Sequence, residues 1–409
     1  MLFAGLLDRL IRDGSLTLID ALGDIYTFGD DTLPRVTIRI HDRALHWKLA
    51  ANPALYTGEA YMDGRLTIEE GSLYDFLDLA TRSLWEPGNG FMVFATEKLR
   101  NAVRRIQQFN PVGRARTNVA HHYGLSDVFY GLFLDTDQQY SCAYFDHSGE
   151  SLEDAQNNKK RHLAAKLLLD RPGLRVLDIG CGWGGLALYL ATESGAQVTG
   201  ITLSEEQFKV AQERARRVGL GDRVGFHLRD YRAQEGTYDR IVSVGMFEHV
   251  GVPQYPMFFR KVRELLTEDG VALLHFIGRA NGPGSTNPWI LKYIFPGGYS
   301  PAISEVVPVI ERQKLFITDI EILRLHYAET LRQWRTRFAA NRDKIKQIYD
   351  ERFCRMWEFY LAGSEVAFRN EYQIVLQIQI TKNQEAVPLT RDYITDWERQ
   401  HGARSVAVA

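Results

Sequence analysis

Short apolar runs alternate with segments of helical periodicity through the second half of the chain. The runs that predict buried strands are Arg175–Ile179, Gln197–Ile201, Val224–Leu228, Arg240–Val244 and Val271–Ile277. Between the first three of these runs, Gly185–Ser194 and Ser204–Val218 have the apolar spacing of helices. This alternation predicts an α/β fold: a doubly wound, mostly parallel sheet with helices on both faces.

Residues 1–85 predict a smaller, mixed α+β domain. Apolar residues at the start of the chain fit one face of a short helix, and Val36–Ile40 and Ala44–Leu49 predict two short strands. A polar and aromatic loop is expected at Gly58–Leu66, and a helix at Ser72–Arg82. No cluster of titratable side chains stands out, so we expect an accessory rather than a catalytic role for this domain.

A basic linker is predicted at 86–116. Its first residues, Glu86–Gly90, are rich in turn formers, and 91–116 contains six basic side chains and one acidic side chain. Such a segment can lie on anionic lipid, or it can be an ordinary solvated linker helix. The remaining residues, 117–409, form the predicted catalytic domain.

The last part of the chain interrupts the strand–helix alternation. Asn281–Ser300 is rich in glycine, proline and aromatic residues, and predicts an inserted loop or lid. Helices are expected near 327–340 and 344–362, and a final strand at Tyr372–Ile380.

The composition excludes several classes of protein. Of the 409 residues, 45% are hydrophobic and 24% charged, which is typical of a globular chain. The 49 basic and 51 acidic residues give a net charge of −2, so an overall attraction to nucleic acid is not expected. No apolar run approaches the roughly 20 residues that span a bilayer. None of the three cysteines, Cys142, Cys181 and Cys354, forms a C-x-x-C pair, so we expect no metal site, no disulfide framework and a cytoplasmic location.

The strongest motif is a glycine turn after the first of these strands. Gly180, Gly182 and Gly185 fit the G-x-G-x-x-G of dinucleotide sites, whereas Gly180, Gly182 and Gly184 fit the G-x-G-x-G of S-adenosylmethionine (SAM) enzymes. A dinucleotide site has an acid about 20 residues further on, and none occurs there. Asp178, by contrast, precedes the first glycine and can receive the amino group of an amino-acid ligand. This pattern favours SAM.

Polar residues after the next two strands can complete a SAM site. Thr202, Ser204 and Gln207 can hydrogen-bond the ligand without charge. Ser204 can also be the N-cap of the following helix, with Gln207 closing a capping box. Asp230-Tyr231-Arg232 lies where adenine usually packs, so that the acid can accept from the adenine amino group and the aromatic ring can cover it.

Two titratable side chains follow later strands. Glu248 and His275 both lie at carboxyl ends of predicted strands, so they should converge on the ligand crevice. Together they are candidates for a general base and its partner. Taken alone, Glu248 could be a helix-start acid and His275 a core histidine.

Five segments together resemble the bacterial cyclopropane fatty acid synthases and the related mycolic acid cyclopropane synthases. These segments are Tyr140–Phe145, Leu177–Gly184, Gly245–Gly251, Tyr293–Gly298 and His326–Trp334. The resemblance covers roughly residues 117–380 and extends more weakly to the N-terminal domain. It implies a Rossmann-like class I SAM-dependent methyltransferase domain.

The resemblance also implies a reaction. In this family, SAM adds a methylene group across a cis double bond of a phospholipid acyl chain, and a bound bicarbonate acts as the base that lets the cyclopropane ring close. Alignment of a weak alkene nucleophile with the donor, and exclusion of water, fit such chemistry. Branched-lipid products or small-amine methylation remain alternatives, as does a lipid-binding protein that merely retains the fold.

Site residues are carried over from the family position by position. The bicarbonate pocket matches Cys142, Glu248, His275, Ile277 and Tyr327. Glu248 is expected to accept the bicarbonate hydroxyl, His275 and Tyr327 to donate, and residues 142 and 277 to contribute backbone N–H groups. The Cys142 thiol is not expected to be a nucleophile. The residues implied for SAM binding are Tyr140, Ser141, Asp178, Gly180, Gly182, Gly184, Thr202, Leu203, Ser204, Gln207, Asp230, Tyr231 and Arg232.

The implied substrate also predicts partners. We expect unsaturated phospholipids at a membrane surface, with peripheral and reversible docking through 91–116 and the 281–300 loop. No nucleic-acid partner is expected. A homo-oligomer, most simply a dimer, is a further expectation that the sequence does not fix.

Overall fold

The computed structural model describes residues 2–84 and 125–402. The predicted basic linker at 86–116 lies outside these residues, so it stays a prediction. In chain order, the first part contains α1 (Leu2–Leu10), β1 (Ser15–Ile19), β2 (Ile25–Gly29), β3 (Arg35–Ile40), α2 (Leu45–Ala51), α3 (Pro53–Met62), β4 (Leu66–Glu70) and α4 (Leu73–Arg82).

Residues 125–402 begin with alternating helices and strands, of which the apolar pattern predicts the five strands and the helices near 185–194 and 204–218. These are α5 (Asp127–Gly131), α6 (Leu152–Lys166), β5 (Arg175–Ile179), α7 (Gly185–Ser194), β6 (Gln197–Thr202), α8 (Glu205–Arg217), β7 (Val224–Leu228), β8 (Tyr238–Val244), α9 (Tyr255–Leu265) and β9 (Leu266–Arg279). The later elements are α10 (Pro288–Tyr293), α11 (Ile303–Arg312), β10 (Phe316–Ile322), α12 (His326–Ala340), α13 (Arg342–Ile348), α14 (Glu351–Asn370), β11 (Gln373–Thr381) and α15 (Asp392–His401).

The chain divides into two compact units. The first contains residues up to 84 together with 284–296 and 328–373, and the second contains 125–283, 297–327 and 374–402. The N-terminal unit is therefore larger than the predicted 1–85, because two later segments pack with it.

The first unit is built on a four-stranded sheet of order β2-β1-β3-β4. Strand β1 is parallel to β3, and the outer pairs are antiparallel. Alternate residues of the central strands, such as Leu16 and Ile38, are fully buried, which is the pattern of a sheet with one covered face. The predicted helix after Ser72 is confirmed, and Ser72 and Asp75 form a reciprocal capping box at its start.

Two predictions for this unit are wrong. Ala44–Leu49 is not a strand, because α2 buries Leu45 and Leu49, which lie four residues apart on one helical face. Gly58–Leu66 is not a loop: α3 begins at Pro53, a residue suited to a first helical turn, and β4 begins at Leu66.

The 281–300 segment is partly helical rather than a simple loop. Asn287 caps the short helix α10 by accepting from the backbone N–H of Trp289. The Trp289 ring is buried, and it contacts the Met62 sulfur and the Phe359 ring within the first unit. This tryptophan is therefore not available for the predicted lipid contact. Farther along, the single helix expected at 344–362 is two helices, because Asp350 caps a new start at α14.

The second unit confirms the predicted α/β fold. Its seven-stranded sheet has the order β10-β11-β9-β8-β5-β6-β7. The strands from β9 to β7 in this order pair in parallel, whereas β10 is antiparallel to β11. One hydrophobic core packs α9 and α11 on the sheet, and a second packs α6, α7 and α8. The strand order reverses at β5, so a crevice is expected at the carboxyl ends of β5 and β8.

In the described parts of the chain, no helix combines the length and the apolar character needed to cross a membrane.

Candidate active site

A cavity opens at the carboxyl ends of β5, β6, β7 and β8, where the strand order predicts it. Eleven of the thirteen residues predicted for SAM line it: Tyr140, Ser141, Asp178, Gly180, Gly182, Thr202, Leu203, Gln207, Asp230, Tyr231 and Arg232. The two others, Gly184 and Ser204, do not line it and serve the surrounding structure.

The glycine turn shapes one wall of this cavity. Gly180, Gly182 and Gly184 all have positive φ, from 55° to 85°, which L side chains rarely adopt. A Cβ atom on Gly182 would meet nothing within 4 Å, so this backbone is open to an approaching ligand. A Cβ atom on Gly184 would lie 2.6 Å from the Phe226 ring. Gly184 is therefore required by packing at the start of α7.

Asp178 brings an uncompensated carboxyl group to the cavity. Its side chain is buried, and among the described residues its Oδ2 atom has no hydrogen-bond partner. Burial raises the pKa of Asp178 to about 7, although the nearby Lys159 opposes the shift. A cationic ligand group would pair this oxygen and repay its desolvation. The amino group of the SAM methionine moiety has that chemistry, so the residues present fit this cofactor.

The residues after β6 hold one another as well as facing the cavity. Ser204 is the N-cap of α8, since its hydroxyl accepts from the Gln207 backbone N–H at 3.3 Å. The Gln207 side chain does not complete a capping box, because its Oε1 accepts instead from the Thr202 hydroxyl at 3.2 Å. The N-cap alternative for Ser204 is confirmed, and Thr202 and Gln207 form a linked pair at the cavity wall.

The segment after β7 differs from the expected arrangement in one respect. Both carboxylate oxygens of Asp230 accept from the Arg232 guanidinium, at 2.7 Å and 2.6 Å. The Arg232 guanidinium lies 5.4 Å from the centre of the Tyr231 ring. The acid is thus engaged by its neighbour, and Tyr231 supplies the aromatic surface on this side of the cavity.

Glu248 lies in the short turn after β8. Its Oε1 accepts from the backbone N–H of Ile277 at 2.7 Å, and its own carbonyl accepts from the Tyr299 N–H at 3.0 Å. Within the described residues its Oε2 has no hydrogen-bond partner. Burial raises the pKa of Glu248 to about 7, which the bond from Ile277 partly offsets. The Ile277 N–H therefore positions the Glu248 carboxylate. The predicted contacts of Glu248 and Ile277 with bicarbonate stay predictions.

His275 is buried two residues before Ile277 on β9. Burial lowers the pKa of His275 to about 3, so the ring is neutral at physiological pH. The Gln377 side-chain amide nitrogen lies 3.2 Å from Nδ1. In this orientation the amide donates to Nδ1, and Nε2 carries the ring hydrogen. In this tautomer Nε2 is able to donate, and its contact with bicarbonate stays a prediction.

Cys142 and Tyr327 lie in two segments that contact each other. The Phe145 backbone N–H donates to His326 Nδ1 at 3.0 Å, and the His326 ring stacks on Tyr144. These contacts join the stretch that contains Cys142 to the start of α12, which contains Tyr327. Both side chains are buried, and the Cys142 thiol donates to the Ala143 carbonyl.

The sequence analysis missed several residues at this site. His249 also lines the cavity, and burial lowers its pKa to about 4. Lys159 contacts two cavity residues from behind, and Gln377 contacts His275. Polar residues inside the apolar run of β11 were an available signal for Gln377. Lys159 lacked one, because the sequence of α6 resembles that of a solvated helix.

Comparison with known proteins is consistent with this geometry. Residues 112–378, more than half of the chain, match the family described as mycolic acid cyclopropane synthetase. The chain belongs to that family. The resemblance stated from the motifs is therefore confirmed, and the protein is an enzyme of the SAM-dependent C-methyltransferase class.

Individual family members support the assignment along most of the chain. A probable fatty acid methyltransferase of Pseudomonas putida is 36% identical over 373 residues, which cover 88% of this chain and 91% of that protein. The cyclopropane-fatty-acyl-phospholipid synthase of Escherichia coli (strain K12) is 38% identical over 334 residues, which cover 81% of this chain and 84% of that protein.

A solved structure supports the fold and the cofactor. The mycolic acid cyclopropane synthase CmaA1 complexed with SAH and CTAB is 33% identical, with a TM-score of 0.61, and the match covers 67% of this chain and 99% of that chain. The fold of the second unit is therefore that of a SAM-dependent methyltransferase.

Proposed function

We propose that this enzyme transfers a methylene group from SAM to the cis double bond of an unsaturated phospholipid acyl chain and forms a cyclopropane ring. SAM-dependent transfer to a lipid acyl chain is common to the relatives. The finer proposal rests on Glu248, which follows β8 at the same end of the sheet as the SAM cavity and whose buried Oε2 has no hydrogen-bond partner among the described residues. Methylation of an amine, which has its own lone pair, would not require such a group.

We further propose that bicarbonate binds beside Glu248. When bound, this anion would supply the proton acceptor for ring closure. Glu248 would accept the bicarbonate hydroxyl through Oε2. His275 would donate from Nε2, and the Tyr327 phenol would donate to another oxygen.

The chain's own residues would also protect the reacting groups from water. Glu248, His275 and Tyr327 are each buried, so each of these side chains is already shielded from bulk solvent. In such a site, the donors for the anion keep their orientation, and their electrostatic effect is larger than in water.

Access to a membrane substrate is part of the proposal. We propose peripheral docking through basic side chains, with 91–116 as the main candidate. Lys292 is the one basic residue of the 281–300 segment. Its side chain is exposed and forms an ion pair with Glu59. Binding to anionic vesicles that did not weaken with added salt would contradict the electrostatic part of this proposal.

Methyl branching is the second candidate, since the Pseudomonas putida relative is described as a probable fatty acid methyltransferase. Purified enzyme should be incubated with methyl-labelled SAM and dioleoyl phosphatidylglycerol vesicles, with and without bicarbonate. We expect label in the phospholipid, and markedly less of it in carbon-dioxide-free buffer. Label transfer that ignores bicarbonate would contradict the proposed base, and the absence of any label in lipid would contradict the function.

A further inference from the structure

A lysine that the proposed chemistry does not use lies directly behind the SAM cavity. The Lys159 side chain on α6 is fully buried, and its ammonium donates to Gln139 Oε1 at 2.6 Å and to Ser141 Oγ at 2.9 Å. Gln139 and Ser141 both line the cavity. Across residues 2–84 and 125–402, no carboxylate pairs directly with this ammonium. A buried charge without such a partner is costly unless another interaction repays it.

The neighbouring lysine shows the ordinary arrangement. Lys160 is also buried, but its ammonium forms an ion pair with Asp137 at 2.7 Å. The two lysines lie on the same helix and differ in what their charges face. The Lys160 ammonium pairs directly with a carboxylate, whereas the Lys159 ammonium feels Asp135 and Asp137 without an ion pair and donates to two residues of the cavity wall.

The hydrogen-bond directions at Ser141 show how the charge of Lys159 can reach a ligand. An ammonium group only donates, so Lys159 occupies a lone pair of the Ser141 hydroxyl. The hydroxyl hydrogen is left for another acceptor, and the side chain lines the cavity. The Ser141 carbonyl is held separately by the Gln156 amide at 3.0 Å. Ser141 is therefore a fixed donor, and the cation behind it strengthens its bond to an anionic acceptor.

We propose that Lys159 is the positioning residue for the carboxylate of the SAM methionine moiety and acts through the Ser141 hydroxyl. That moiety is a zwitterion. Asp178 offers a buried negative group to its ammonium in the same cavity, and Lys159 supplies the complementary positive charge for its carboxylate. The inference depends on the SAM site and is independent of the lipid and bicarbonate parts of the proposed function.

The test compares two ligands that differ in the carboxylate alone. Binding of S-adenosylhomocysteine and of its decarboxylated analogue, S-adenosyl-3-thiopropylamine, is measured by calorimetry on the full-length enzyme. Lys159→Met keeps the side-chain length and removes the charge. We expect it to weaken binding of S-adenosylhomocysteine about tenfold or more, and to change the affinity for the analogue less than about twofold. Retained binding of the analogue also shows that the variant is folded.

Two further variants separate charge from structure. Lys160→Met removes a charge one residue along the helix, and we expect it to leave the ratio of the two affinities unchanged. Lys159→Gln can still donate to Ser141 without charge, and we expect an intermediate loss for S-adenosylhomocysteine. In a Ser141→Ala background, Lys159→Met should add little further loss, because the lysine acts through the serine.

Equal weakening of both ligands by Lys159→Met would show a structural role and overturn the proposal, and so would unchanged binding of both. Wild-type enzyme that bound neither ligand would overturn the SAM site itself. Loss of lipid product with normal binding of both ligands would contradict the proposed function and leave this inference intact.

Discussion

Glu248 Oε1 accepts a hydrogen bond from the backbone N–H of Ile277 at 2.7 Å. This bond ties the turn after β8 to the end of β9 and fixes the carboxylate with its other oxygen unpartnered among the described residues. A side chain held in this way needs no rearrangement before it receives an anion, which is the preorganisation that buried polar sites provide.

Replacing Glu248 by glutamine tests its role in ring closure. The amide oxygen of Glu248→Gln can still accept from Ile277, so we expect normal folding and S-adenosylhomocysteine affinity within about twofold of wild type. Cyclopropane formation should fall by about 10²-fold or more, because the amide NH₂ that replaces Oε2 cannot accept the bicarbonate hydroxyl. Mass spectrometry of lipids and calorimetry measure the two effects. Near-normal ring formation in this variant would show that the glutamate assignment is wrong.

A matched control for this change is Glu305→Gln. Glu305 is likewise a glutamate on the same unit, and it accepts from the Tyr299 hydroxyl at 2.6 Å and from the Ala302 N–H at 3.0 Å. Its carboxylate holds a loop and the start of α11. We expect the control to retain SAM binding and most of the lipid activity.

The pH dependence of cofactor binding tests Asp178. Its raised pKa of about 7 means that the side chain becomes neutral as the pH falls below 7, and a neutral side chain attracts the ligand ammonium less. S-adenosylhomocysteine should therefore bind about tenfold more weakly at pH 6 than at pH 8. Asp178→Asn should bind weakly with little pH dependence. Wild-type affinity that stayed flat between these pH values would contradict the assignment.

The same carboxyl group should reduce stability. Because its pKa is higher in the folded protein than the ordinary 3.8, the folded state favours the protonated form. The protonated form of Asp178 therefore contributes stability that is complete below about pH 4. This contribution is lost as the pH rises through 7, where the buried side chain becomes charged. Relative to wild type, Asp178→Asn should thus unfold a few degrees higher at pH 8, with a smaller gain near pH 5. Thermal unfolding at both values checks this, and a variant less stable than wild type at pH 8 would contradict it.

Alanine substitutions at two glycines of the same turn should have different effects on stability and on ligand affinity. Gly182→Ala places a methyl group toward the open cavity, so we expect a loss of about 1 kcal/mol in stability and a clear loss of S-adenosylhomocysteine affinity. Gly184→Ala meets the Phe226 ring, and should cost about 2–4 kcal/mol of stability. Urea unfolding measures the stability loss, and calorimetry measures the affinity loss. A larger stability loss for Gly182→Ala than for Gly184→Ala would contradict the assignment of Gly182 to the cavity wall and of Gly184 to packing.

The strands of the sheet in the second unit could be predicted closely from sequence. β5 and β7 have the predicted bounds: β5 is a mostly buried strand that ends at the glycine turn, and β7 is an edge strand that buries the alternate residues Val224 and Phe226. Short amphipathic segments were less certain. Ala44–Leu49 alternates well enough to suggest a strand, yet Leu45 and Leu49 also share a helical face, and packing in the first unit favoured the helix.

The site could be predicted where its residues follow strands directly. Asp178, the glycine turn and the residues after β6 and β7 are local to their motifs, and their clustering follows from the fold class. Lys159 and Gln377 belong to α6 and β11, and they reach the site only through tertiary packing. The polar sequence of α6 suggests an exposed helix, but six of its ten polar residues, including Gln156 and Lys159, are buried. Periodicity cannot identify such a helix, because its buried face is not apolar.

The fate of the transferred hydrogens tests the central claim most directly. The enzyme is incubated with SAM carrying a fully deuterated methyl group and with dioleoyl phosphatidylglycerol vesicles in bicarbonate buffer, and the product acyl chains are analysed by mass spectrometry and NMR. Cyclopropane formation predicts a new ring carbon that retains two of the three deuterium atoms, with the double bond gone. A product that keeps a double bond, or a methyl branch that keeps all three deuterium atoms, would contradict the account.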